Sequence, residues 1–96
     1  MSFSFHPDAE AELVEAIQYY ENIEPGLGQD FTIEAYSAIQ RAIAHPRAWA
    51  AFEDDIRRSL LNRFPYGILY SEDDDGILIV AVMHLHREPG YWMDRV

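Results

Sequence analysis

The stretch from Arg57 to Trp92, RRSLLNRFPYGILYSEDDDGILIVAVMHLHREPGYW, constrains the fold of this chain more than any other segment. Three apolar runs share it, at about Ile56–Arg63, Gly67–Ser71 and Ile77–Leu85. Phe64-Pro65-Tyr66 separates the first two, and an acidic turn ending in Asp75-Gly76 separates the last two. Asp-Gly is a strong hairpin signal, because glycine tolerates the positive φ that a tight turn needs. Connections this short join antiparallel neighbours, so the three runs predict an antiparallel meander. Ile77 to Met83 carries no polar residue, which predicts a central strand covered on both faces.

The first half of the chain supplies the cover. Phe3 and Phe5 alternate with Ser2 and Ser4, so Ser2–His6 reads as a brief strand. Pro7 fits the first position of a helix, where its missing N–H costs nothing, and Asp8 and Glu10 complement the helix dipole. Ala9, Leu13, Ala16, Ile17 and Tyr20 then recur at helical spacing, predicting an amphipathic helix from Asp8 to Asn22. Pro25-Gly26 breaks it. A second helix follows from about Leu27 to Ala44, its stripe being Leu27, Phe31, Ala35, Ala38, Ile39, Ala42 and Ile43. His45-Pro46 ends it, since a residue before proline avoids the helical region. Residues 46–55 read as a loop, anchored by Trp49 and Phe52. The order strand-helix-helix-strand-strand-strand predicts an α+β domain of two layers, with the helix hairpin lying on one face of a mainly antiparallel sheet.

Charge is unevenly spread. Residues 1–56 hold eleven acids and two arginines, about -9, and residues 57–96 hold six acids and five arginines, about -1, giving the net charge of -10. There is no lysine. Gripping a nucleic-acid backbone needs a basic stripe, so direct nucleic-acid binding is expected to be weak or absent. The 96 residues predict one domain, 1–96. With no cysteine, no disulfide or thiolate site is available. The longest apolar run is too short to span a bilayer and nothing resembles a signal peptide, so a soluble cytoplasmic protein without membrane contact is expected.

Polar chemistry gathers near the end of the chain. A neutral-pH general base would come from His84 or His86, which share strand parity with Val80 and Val82. Arg87 would stabilise charge and Tyr91 would orient or donate a proton. These four are the catalytic candidates if the chain is an enzyme, and the balance of the sequence leans against one. A metal site is not expected, because the two histidines lack a third ligand nearby. Arg57 and Arg63 are expected on one strand face and Arg58 on the other. They either contact phosphates or an acidic partner, or pair with acids such as Glu53 and Asp54. Tyr91 and Trp92 either close the edge of the core or anchor a contact surface. Arg57, Arg58, Arg63, Tyr91 and Trp92 are thus the partner-binding candidates.

Several of these segments carry a resemblance. HPDAEAEL, the Pro-Gly-Leu-Gly elbow, AHP after the second helix, IRRSLLNRFPYGILY and HLHREPGYW together resemble the RelE/ParE superfamily, and cover nearly the whole chain in order. These are the toxins of bacterial type II toxin-antitoxin modules, often labelled plasmid stabilisation proteins. The resemblance implies a cognate antitoxin whose C-terminal segment wraps the toxin, and no cofactor. RelE-like members cut messenger RNA on the ribosome; ParE-like members poison DNA gyrase and are not nucleases. RelE-like nucleases are lysine-rich and carry an arginine just after the Tyr66 position, where this chain has Gly67. The resemblance is therefore closer to ParE-like members, implying a toxin that binds a protein target. A ribosome-dependent endoribonuclease and a non-toxic member keeping the fold are the alternatives. A homodimer is compatible with either.

Overall fold

The computed structural model describes residues 2–51, 55–88 and 90–96. In chain order these form β1 (Ser2–Phe5), α1 (Pro7–Ile23), α2 (Leu27–Ala44), β2 (Arg57–Leu60), β3 (Tyr66–Asp73) and β4 (Gly76–His84), ending in a single 3-10 turn at Met93–Arg95. The sheet order is β1-β4-β3-β2, with β2-β3 and β3-β4 antiparallel and β1 parallel to β4. β4 is thus a central strand, as its apolar run predicts.

Both helices start and stop where local chemistry says they should. His6 caps α1, its Nδ1 accepting the N–H of Asp8 at 3.1 Å, and Pro7 opens the helix. Gly26, in the left-handed region with φ 91°, stands at the N-cap of α2 without a capping side chain of its own. Glu21, from the last turn of α1, supplies the missing acceptor. Its carboxylate accepts the N–H groups of Gly26 and Gly28 at 3.1 Å, placing negative charge at the positive end of α2. Gly28 also lets the helices approach closely, since a Cβ there would sit 2.7 Å from the Ile17 carbonyl oxygen.

The main core lies between the helix hairpin and the sheet. Phe31, Ala35, Ile39 and Ala42 of α2 and Ala9, Leu13 and Ala16 of α1 meet Ile68, Tyr70, Ile77, Ile79 and Val82. Each fully buried Ile or Phe contributes roughly 1.5–3 kcal/mol of transfer free energy. A knot of rings closes one end, with Tyr20 stacked on Phe31 at 5.3 Å and Phe64 edge-on to both. The opposite sheet face has a second, smaller core. Ile56, Leu69, Val80, Ala81 and Met83 pack there under Trp92, which is 2% exposed. The tail therefore adds a partial third cover to the two predicted layers.

A β-bulge joins the two faces. The β3-β4 register steps from Leu69↔Ala81 to Tyr70↔Ile79, leaving Val80 as the extra residue. Ile77 and Ile79 face the helices before the step, and Val82 does so after it, while Val80 and Ala81 both face the back core. The predicted parity changes accordingly: His84 keeps the parity of Val82 but not of Val80.

β2 is shorter than predicted. After Leu60 the chain turns inward, burying Leu61 and Phe64 in the main core, and Glu34 of α2 fixes the turn. Its Oε1 accepts the N–H groups of Asn62 and Arg63 at 2.7 and 2.9 Å. Arg63 therefore leaves the strand, and the expectation that Arg57 and Arg63 share a strand face fails. Phe52, Glu53 and Asp54, expected as an anchor and as ion-pair partners, lie outside the described residues.

Candidate functional site

β1 ends at Phe5 while β4 runs on to His84, so the far half of β4 has no strand beside it on that edge. Two side chains from distant parts of the chain replace the missing strand. Glu12 of α1 accepts the N–H of Val82 at 3.0 Å through Oε1. Arg95 donates from Nη1 to the Val80 carbonyl, the residue displaced by the bulge, at 3.0 Å. The two groups also form a bidentate pair, with Arg95 Nη1 and Nη2 donating to Glu12 Oε1 and Oε2 at 2.9 and 3.0 Å. Both side chains are only 12% exposed. The hydrogen bonds to Glu12 hold the Arg95 guanidinium above its ordinary pKa despite burial, so its charge is permanent. Asp8 adds a longer contact to Arg95 at 3.7 Å.

Tyr91 and Arg87 are built around the same carboxylate. The Arg87 guanidinium lies 3.8 Å from the Tyr91 ring centroid and 3.6 Å from Glu12 Oε2, and the Arg95 guanidinium lies 5.1 Å from the same ring. Tyr91 is thus held between two cations by cation-π contact. Its hydroxyl is buried and faces the Glu12 carboxylate without meeting hydrogen-bond geometry. Burial, and then the neighbouring Glu12 carboxylate, push its pKa well above the ordinary 10, so the phenol stays protonated at physiological pH.

Beside this cluster, between α1 and the ends of β3 and β4, lies an open cleft of about 230 Å³. Glu12, Glu15, Tyr19, Tyr66, His84 and Arg87 line it, with Ala16 and Val82 at its floor. His84 packs edge-on against Tyr66 at 5.1 Å and against His86 at 5.3 Å. Its Nδ1 accepts the N–H of His86 at 3.0 Å. His86 lies beyond the strand end and is exposed. Burial, followed by Tyr20, Tyr19, Glu12 and Glu15, raises the pKa of Tyr66. Among the described residues no three metal-ligating side chains come together.

The structure brings His84, His86, Arg87 and Tyr91 to one end of the sheet, but it does not gather the other candidates there. Arg57 donates to the Trp49 carbonyl. Arg63 faces Asp30 and Glu34 of α2 at 3.7 and 4.0 Å. Arg58 crosses the back of the sheet, where a Cβ at Gly67 would meet its Cγ at 2.9 Å. The glycine at this position thus makes room for an arginine stem from the next strand. Trp92 is a core residue rather than an exposed anchor. Sequence reasoning missed Glu12, to which it gave no role. The available signal was its position one helical turn before Ala16, at the border of the apolar stripe.

Residues 3–89 match the family described as ParE toxin of type II toxin-antitoxin system, parDE. The chain belongs to the ParE toxin family. Among solved structures, this ParE-family chain is similar to the "Chromosomal ParDE TA system from P. aeruginosa", with a TM-score of 0.76 and 16% identity. That match covers 90% of this chain and 97% of the other, and at such low identity it is a likeness of fold. No curated protein matches this member of the family. The family assignment agrees with the predicted element order and with the resemblance to ParE-like rather than RelE-like members.

Proposed function

We propose that this chain acts as a toxin by binding a protein target, with DNA gyrase the target the family suggests, and that a cognate antitoxin holds it inactive. One observation carries the choice of binding over RNA cleavage. The two groups best suited to phosphate chemistry, Arg87 and Tyr91, are interlocked with Glu12 and Arg95. A phenol whose hydroxyl is buried cannot reach a substrate to donate its proton, and an arginine already facing a carboxylate is poorly placed to meet an incoming phosphate. The acidic balance and the absence of lysine support the same reading, because a ribosome-directed nuclease works against a polyanion.

A ribonuclease reading draws its support from the His84–His86 pair at the mouth of the cleft, where an imidazole has open solvent before it. Growth after induced expression, with and without the neighbouring gene, tests the toxin assignment first. Arrest relieved by the neighbour is expected; uninterrupted growth would favour a member that keeps the fold without toxicity. Purified chain then separates the two activities. Linear DNA accumulating with gyrase supports the proposal, and mRNA cleavage in a translation extract that is lost in His84→Ala or His86→Ala supports the rival.

A further inference from the structure

We infer that the cleft between α1 and the ends of β3 and β4 is a socket for an arginine side chain of the chain's protein partner. The inference rests on the reading above, that this chain works by binding a protein.

Three features of the cleft select a cation. Glu15 lies on its wall and forms neither a hydrogen bond nor an ion pair among the described residues. Glu12 is committed to Arg95 and Arg87, and Asp8 to Arg95. Counting three acids (Asp8, Glu12, Glu15) against two arginines (Arg87, Arg95) leaves -1 at this corner, and Glu15 carries the uncompensated charge. The walls around it are aromatic. Tyr19 is 60% exposed, and Tyr66 and His84 meet edge to face at 5.1 Å. A carboxylate beside ring faces attracts a cation through charge and quadrupole together. The whole chain, at -10, adds a long-range pull on a basic segment.

The choice of arginine follows from chemistry the protein already uses next door. Arg87 rests on a tyrosine ring at 3.8 Å with a glutamate oxygen at 3.6 Å. Glu15, Tyr19 and Tyr66 line the cleft together, and the arginine that also lines it, Arg87, is already held by Glu12 and the Tyr91 ring rather than by Glu15. A planar guanidinium stacks on a ring and reaches a carboxylate at once; a lysine ammonium, more strongly hydrated, does neither as well. An acidic partner segment would meet Glu15 and the surrounding negative surface, and is disfavoured.

The test uses the full chain, labelled with ¹⁵N, titrated with acetyl-arginine amide and separately with acetyl-lysine amide. Amide shifts confined to the surroundings of Glu15, Tyr19, Tyr66 and His84, and tighter binding of the arginine probe, are expected. Glu15→Gln and Tyr19→Ala should each weaken that binding by roughly threefold or more, the equivalent of one exposed ion pair or cation-π contact. Both positions are exposed, so the fold should persist, and unchanged far-UV circular dichroism checks it. Scattered shifts, equal response to the two probes, or insensitivity to Glu15→Gln would overturn the inference. Spermidine saturating the cleft more tightly than the arginine probe would also overturn it, in favour of a small-molecule site. The titration is independent of toxicity: arginine binding without growth arrest would refute the toxin reading alone, and arrest without arginine binding would refute the socket alone.

Discussion

Replacing Glu12 with alanine should be among the most destabilising single changes available in this chain. Three groups lose a partner at once: the Arg95 guanidinium, the Val82 N–H and Arg87. Removing one member of a buried ion pair costs about 3–5 kcal/mol, because the other charge is left without compensation. With both side chains 12% exposed, some water reaches the pair, so the lower end applies to the charge, about 3 kcal/mol. The orphaned Val82 amide adds about 1 kcal/mol. A folded domain has roughly 5–15 kcal/mol in total, so the loss takes a large share of it. At about 4–8 °C per kcal/mol, Tm should fall by roughly 15 °C or more. Urea unfolding followed by tryptophan fluorescence measures the change, with Trp92 reporting on the back core that the same tail covers. Glu12→Gln keeps an acceptor for Val82 while removing the charge, and should fall between the parent and the alanine variant. A loss below about 1 kcal/mol for Glu12→Ala would show that the cluster is a surface ion pair in effect, and the account of the β4 edge would be wrong.

Four further outcomes follow from the same geometry. The Tyr91 phenol binds its proton more tightly in the folded chain than in the unfolded one, so its contribution is fully present below pH 10 and declines as pH rises beyond it. Tyr91→Phe should flatten the loss of urea stability between pH 9 and 11; an unchanged slope would count against the buried phenol. Glu21→Ala should cost about 1 kcal/mol by leaving the start of α2 without its acceptor, and hydrogen exchange should speed up first at Gly26 and Gly28. Ser59 is fully buried and donates to the Ala38 carbonyl at 3.0 Å, so Ser59→Ala should lose about 1 kcal/mol by thermal denaturation. The Arg47–Glu72 pair is different: Arg47 is 76% exposed, and Arg47→Ala should leave the urea midpoint nearly unchanged.

Much of the fold was legible because local chemistry and tertiary packing agree. The α2 boundaries, Leu27 to Ala44, coincide with their glycine and proline punctuation, and the apolar run of β4 does mark a central strand. What periodicity cannot carry is a change of phase. The Val80 bulge moves every later residue of β4 to the other face, and nothing in Ile-Leu-Ile-Val-Ala-Val-Met distinguishes the residue that will be skipped. The end of β2 was missed for a related reason. Leu61 fits a strand by composition, but the Glu34 carboxylate, distant in sequence, caps the turn that takes it and Phe64 into the core. The candidate site was half legible. Arg87 and Tyr91 stood out by residue type, whereas nothing in its residue type sets Glu12 apart from the chain's other acids. Its importance comes from the unpaired half of β4, which only the short length of β1 creates.

The most direct test of the account is a plasmid reaction containing purified chain, DNA gyrase and ATP. Linear DNA should accumulate, and the product of the neighbouring gene should suppress it. Plasmid left intact by an active preparation that instead cuts ribosome-bound mRNA would contradict the assignment of this chain to protein-directed toxicity.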